Sequence, residues 1–177
     1  FCREAVFWKQ LAHPNIVPFL GVSQSHNLCI VSEWMAFGDV ITYLQKFPRA
    51  NRRQLVTDVA CGLEYMHASA MIHGDIKGRN ILVDGSRRAR LGDFGLARTV
   101  LGPKSFTPSI SRSGGTMRYM APELAENSNP GQPTRETDVY AFAMASWEIF
   151  CGEQIFPHLP EWTVFARVLS GERPLRP

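Results

Sequence analysis

The alternation of apolar and polar positions divides the chain into a strand-poor front and a helix-rich back. Glu4, Trp8 and Leu11 fall at i, i+4 and i+7, on one helical face. His13-Pro14-Asn15 ends that helix, because the residue before a proline avoids the helical region. Apolar runs at 16–22 and 28–33, joined by the polar segment 23–27, predict a strand, a turn and a strand. Gly38-Asp39 opens a short helix through Tyr43 and Leu44. After Pro48, a stripe of Leu55, Val59, Leu63 and Met66 predicts a longer one. Strands at Ile81–Val83 and Ala89–Leu91 flank a Gly85-Ser86 turn, and 99–115 is a long segment rich in Ser, Thr, Gly and Pro. Residues 137–150 are apolar almost all round, as in a helix at the centre of a lobe, and 157–169 holds one more amphipathic helix. There is no internal repeat.

Three motifs sit on this frame. His73-Gly74-Asp75-Ile76-Lys77-Gly78-Arg79-Asn80 lies directly before the strand Ile81-Leu82-Val83. Asp93-Phe94-Gly95 directly follows a strand. Met120-Ala121-Pro122-Glu123 is preceded by Gly115-Thr116. Each is weak evidence alone, since a single Asp, Lys or Asn there reads as a polar group capping a turn. All three, in order and in the right context, resemble the protein kinase signature set. The series, with Asn15-Ile16-Val17, Gly21 and Thr137-Asp138-Val139-Tyr140, is most similar to the tyrosine-kinase-like branch of the serine/threonine kinases.

That resemblance covers the whole chain and implies an α+β, two-lobed protein-kinase-like fold, truncated at both ends, with a mainly helical C-lobe. Residues 1–33 would be the remainder of the N-lobe, 34–38 the hinge and 39–177 the C-lobe without its last helices. It implies ATP-dependent phosphorylation of protein serine and threonine, with ATP and Mg²⁺ as cofactors. By the match, Asp75 accepts the substrate hydroxyl's proton, Lys77 reaches the transferring phosphate, and Asn80 and Asp93 supply hard oxygen ligands to the metal. Glu4 takes the place of the helix glutamate that pairs with a strand lysine. Ser32, Glu33 and Met35 match the adenine-binding hinge and its gate, and Leu82 the adenine floor. Trp8, Phe19, His73 and Phe94 match the column of side chains joining the lobes, with Asp138 its anchor.

The glycine-rich loop and the strand lysine of this family belong upstream of residue 1, and the chain opens on Phe1 in mid-pattern. The end at Gly171-Glu172-Arg173-Pro174 resembles the loop before the last C-lobe helices. The expectation is a fragment that is itself inactive, from an active parent. Gly74 stands where most relatives carry an arginine that clamps an activation-segment phosphate. Thr99, Ser105, Thr107, Ser109, Ser111 and Ser113 are candidate phosphosites, and Arg98, Lys104, Arg112 and Arg118 could meet such a phosphate. A non-catalytic pseudokinase scaffold is the alternative, against which Asp75, Asn80 and Asp93 all argue. A small-molecule kinase is disfavoured by the complete Ala-Pro-Glu segment, which shapes a peptide groove.

Composition adds limits. At 177 residues, 45% hydrophobic and 20% charged, the chain has the make-up of one soluble folded domain. The net charge of +3 is spread out. Its densest run, Arg87-Arg88-Ala89-Arg90, lacks interleaved aromatics and reads as a solvated loop, so no nucleic-acid partner is expected. Cys29 and Cys61 sit in apolar runs and, with Cys2 and Cys151, predict reduced core thiols in a cytoplasmic protein, without zinc or disulfides. No apolar run is long enough to cross a bilayer.

Overall fold

In the computed structural model, residues 2–24, 27–100, 117–124 and 132–177 are described. Lys104, Ser105, Thr107, Ser109, Ser111, Arg112, Ser113, Gly115 and Thr116 lie outside the described residues. Helix α1 (Cys2–Lys9) carries Glu4 in its first turn and Lys9 in its last, each complementing the helix dipole. It ends before His13. Leu11 follows it in a turn, its amide donating to the Trp8 carbonyl at 3.0 Å, and is still buried.

Strands β1 (Phe19–Ser23) and β2 (Cys29–Ser32) pair antiparallel, with Phe19 opposite Ser32. The apolar run that leads into β1 splits. Its first part leaves the front sheet and docks on the back of the molecule, where Val17 N–H donates to Leu91 O and Leu91 N–H to Asn15 O, both at 2.9 Å. The Asn15 side-chain amide adds a bond to Ala89 O at 3.0 Å. This segment is one seam between front and back.

The back begins at α2 (Val40–Lys46), capped by the Asp39 carboxylate on Ile41 N and Thr42 N. Helix α3 (Arg52–Ala68) is capped by the Asn51 side chain. Two-residue strands β3 (Met71–Ile72) and β6 (Arg98–Thr99) pair antiparallel, as do β4 (Ile81–Val83) and β5 (Ala89–Leu91). Helix α4 (Arg135–Cys151) starts from a Thr134–Thr137 capping box, and α5 is Glu161–Leu169. The predicted α3 stripe, Leu55, Val59, Leu63 and Met66, is buried in the core where α3 packs on β5 and α4, together with Leu91, Ala145 and Ile149. Two elements of two residues, β3 and β6, were not expected, because so short a strand has no alternation to read.

Three expectations are corrected. Cys2, Cys29 and Cys61 are exposed and Cys151 is only partly buried, so none is a core thiol. Cys29 lies on the outer side of an alternating strand, and Cys61 follows Val59 by two residues, about 200° round the α3 axis from that buried side chain. The 137–150 stretch is not apolar-buried all round: Val139 and Phe150 are exposed while Asp138 and Glu148 are buried. The arginine run is not simply solvated. Arg88 pairs with buried Asp58 and Arg90 with Asp84, at 2.8 Å for the latter. Among the described residues no helix is long and apolar enough to cross a membrane.

Candidate active site

The loop from His73 to Asn80 joins β3 to β4, and α4 holds it from below. Asp138 is 2% exposed in the first turn of α4. Its carboxylate accepts His73 N–H and Gly74 N–H, both at 2.8 Å, and meets His67 Nε2 at 2.9 Å. The His73 ring is fully buried; its Nδ1 accepts Asp75 N–H at 3.2 Å, which leaves the ring proton on Nε2 to be donated to Gly92 O at 3.1 Å. One imidazole thus ties the Asp75 loop to the strand end that leads into Asp93. Gly74 has φ +80°, a backbone region that suits glycine, and a Cβ there would come 3.1 Å from Leu96 O.

Asp75, Lys77 and Asn80 form one bonded group. Lys77 Nζ donates to Asp75 Oδ2 at 2.6 Å, and Asn80 Nδ2 donates to Asp75 O at 2.8 Å and to Oδ2 at 3.0 Å. With its nitrogen used this way, Asn80 has its amide oxygen left as an acceptor. The Asn80 carbonyl accepts Gly92 N–H at 2.9 Å, a second tie between the two loops.

Phe94 is 0% exposed and packs between Trp8, at 5.1 Å between ring centroids, and His73, at 5.4 Å; Trp8 in turn meets Phe19 at 6.2 Å. The Trp8 indole N–H donates to Val17 O at 2.6 Å. This column runs unbroken from β1 to the Asp75 loop. With Phe94 turned inward, Asp93 stays exposed at φ +60°. Glu4 lies beside it: a Cβ built on Gly95 would meet Asp93 Oδ1 at 3.4 Å and Glu4 Oε2 at 3.9 Å. Partial burial, and then the Asp93 charge, push the Glu4 carboxyl above its ordinary range.

The remaining predicted residues line the seam between front and back. Ser32 ends β2, half-buried. Glu33 is exposed and its N–H donates to Pro18 O at 3.1 Å. Met35 is buried and its carbonyl takes Gly38 N–H at 3.1 Å. Leu82 pairs with Arg90 and bridges to Asp39; a Cβ on Gly92 would touch its Cδ1 at 3.5 Å.

Comparison with known proteins decides the family. The profile described as protein tyrosine and serine/threonine kinase matches residues 1–177. The chain belongs to this kinase family. It is 39% identical over 171 residues to the L-type lectin-domain containing receptor kinase I.7 of Arabidopsis thaliana, covering 91% of this chain and 25% of that protein. It is 32% identical over 183 residues to the serine/threonine-protein kinase STY17 of the same plant, covering 100% of this chain and 31% of that one. STY46, also a plant serine/threonine-protein kinase, is 31% identical with the same coverage. The chain spans about a quarter to a third of the length of these relatives.

Three features of this kinase domain escaped the sequence reading. His67 is the third partner of Asp138. Glu148, 3% exposed, accepts Tyr119 O–H at 2.6 Å and the Gly78 N–H, so α4 holds the Ala-Pro-Glu segment and the Asp75 loop through one carboxylate. Burial raises the Glu148 carboxyl, and burial together with the Glu148 charge pushes the Tyr119 phenol far above its usual range. Gly78 is required there, since a Cβ would lie 2.6 Å from Glu148 Oε2. Arg118 is the third: it is buried and donates to the carbonyls of Ile155, Phe156 and Leu159, so it is spent on structure and not free to meet a phosphate. A charged residue inside an apolar run, as in Trp147-Glu148-Ile149, was the available signal. Arg98 likewise donates to Gln132.

Proposed function

We propose that this domain transfers the γ-phosphoryl group of ATP to serine or threonine hydroxyls of protein substrates. The observation that carries the reading is the Asp75–Lys77–Asn80 group, held in register with Asp93 through His73 and Gly92 while the Phe19–Trp8–Phe94–His73 column is complete. Phosphoryl transfer asks the protein mainly for alignment and charge neutralisation. The substrate hydroxyl oxygen bonds to the γ-phosphorus, the bond to the β–γ bridging oxygen breaks, and Asp75 Oδ takes the hydroxyl proton. Lys77, bridged to Asp75, would neutralise charge on the moving phosphoryl group. Lys77 two residues after Asp75, and the names of the relatives, support serine and threonine over tyrosine.

Asn80 and Asp93 fit Mg²⁺: one offers an amide oxygen and the other an exposed carboxylate, both hard donors. Bound Mg²⁺ would neutralise phosphate charge. We take 1–33 as N-lobe, 34–38 as hinge, with Glu33 and Met35 backbone groups for adenine, and 39–177 as C-lobe, working in the cytoplasm where ATP is supplied. Leu82 is the adenine floor. Ser32, being small, leaves the pocket behind adenine open, so Ser32→Met should weaken inhibitors with a bulky aryl extension while sparing ATP.

The deciding experiment is a γ-labelled ATP assay on the full-length protein with phosphoamino-acid analysis. Phosphoserine and phosphothreonine are expected, and Asp75→Asn should remove the label without loss of ATP binding. Predominant phosphotyrosine would overturn the substrate class, and full turnover by Asp75→Asn the mechanism.

A further inference from the structure

The last turn of α2, the loop that follows it and the β4–β5 turn enclose a shallow cavity of about 400 Å³ that shares no residue with the Asp75 loop. Its floor is aromatic. The Tyr43 and Phe47 rings lie 5.1 Å apart, and Phe37 meets Phe47 edge-on at 5.5 Å, so the Phe47 ring is held in place. Pro48 completes the apolar wall. The rim is cationic: Lys46, Arg49 and Arg87, all exposed. The Arg87 guanidinium sits 5.4 Å and the Lys46 ammonium 5.8 Å from the Phe47 ring centroid.

The three cations differ from their neighbours. In the same turn Arg88 is paired with Asp58 and Arg90 with Asp84. Asp84 is also spent on Ser86 N–H and Arg88 N–H, at 2.8 and 3.0 Å, so it has nothing left for Arg87. Arg87 itself adopts φ +62° in the turn. Among the described residues no carboxylate forms an ion pair with Lys46, Arg49 or Arg87. Three unneutralised cations around an aromatic hollow repel one another, and an anion bound there relieves that repulsion.

We propose that this cavity docks an acidic peptide segment of a protein partner, seating one aromatic or large aliphatic side chain on Phe47 and Tyr43 while flanking carboxylates meet Lys46, Arg49 and Arg87. The concave floor takes a side chain, and the charge on the rim selects its neighbours. A nucleic acid needs a cationic track along its backbone, and this is an isolated ring of three. A membrane surface needs a flat or convex apolar face, and this one is hollow. The proposal does not depend on phosphoryl transfer.

The test is fluorescence anisotropy of the full-length protein with a labelled Asp-Glu-Phe-Asp-Glu peptide. Binding is expected, weakening at higher salt, and is expected to be lost for the Asn-Gln-Phe-Asn-Gln version. The variant Lys46→Glu/Arg49→Glu/Arg87→Glu should bind at least about tenfold more weakly, with an unchanged thermal midpoint. Phe47→Ala should erase the preference for Phe over Gly in the peptide. Arg87→Gln alone, a change at an exposed turn, should still weaken binding measurably. Equal binding by the triple variant, insensitivity to salt, or binding of poly(U) RNA or phosphatidylserine vesicles but not of the peptide would each overturn the proposal.

Discussion

Around Asp75 the chain supplies its own donors to the carboxylates, whereas on the Asp93 side two carboxylates lie together at the end of α1. Asp138 takes two backbone N–H groups and His67, and Asp75 takes Lys77 and Asn80. Those carboxylates receive their hydrogen-bond donors from the fold itself. Glu4 instead lies partly buried beside the Asp93 charge, and burial first, then that charge, raise its carboxyl above the ordinary range. The first region is a fixed platform. The second gains from an added cation, as a nucleotide–metal complex would provide.

The largest test of this contrast is a pair of substitutions in the full-length kinase. Asp75→Asn and Asp93→Asn should each lower turnover by on the order of 10³-fold, within the span seen for lost proton transfer or charge stabilisation. They should differ in metal dependence. Raising Mg²⁺ should partly restore Asp93→Asn and leave Asp75→Asn unchanged. Equal rescue of both, measured by initial rates, would erase the distinction.

Stability should separate the regions next. Asp138→Ala strands two buried N–H groups and a histidine, so urea unfolding should show a loss of about 3–5 kcal/mol. Glu4→Gln removes a like charge from a half-exposed place and should not destabilise the fold. If Glu4→Gln cost as much as Asp138→Ala, the Asp93 side would be structural as well.

Acidity sharpens the same comparison at a third buried carboxylate. Burial alone would raise Asp58, but hydrogen bonds from Arg88, Ala89 N–H and Gln54, with the guanidinium charge, hold it below the usual carboxylate range. Its folded value is depressed, so its contribution is present above the unfolded value of about 4 and is lost as pH falls through the folded one. Glu4 has the opposite sign. Its raised folded value favours the protonated form, so that relative stabilisation is lost as pH rises through it. Urea midpoints across acid pH should therefore fall less steeply in Asp58→Asn than in the parent, and Glu4→Gln should flatten the profile on the higher-pH side of the ordinary glutamate range.

The smallest expected effect is at Gly74. Gly74→Ala should cost about 1 kcal/mol, since φ +80° is unfavourable for a residue with a Cβ and Leu96 O lies close to it. A larger loss would mean that the Asp138 bonds to His73 and Gly74 had also been broken.

The motif residues were legible because their chemistry is local in sequence. Asp75, Lys77 and Asn80 lie within six positions of one another, and the cap at Asp39 acts within its own first helical turn. The column was legible only through a family pattern, since nothing in the spacing of Phe19, Trp8, Phe94 and His73 says that they touch. Cys61 misled because an apolar run in a helix contains residues of both faces.

What the sequence by itself determined is the set of helices, the order of the motifs and the residue types at Asp75, Asn80 and Asp93. Helical periodicity, capping and residue type are properties of neighbouring positions. Only the tertiary structure decided that the segment at Asn15 leaves the front sheet for β5, that Arg88 neutralises Asp58 30 positions away, and that one carboxylate, Glu148, joins Tyr119 to Gly78. It also decided which arginines of a single run are paired and which, Arg87, is left over an aromatic hollow. Such pairings depend on which buried donor meets which acceptor when elements pack, and burial makes each unmet one costly. That cost is set by distant residues, so no local pattern in the chain records it.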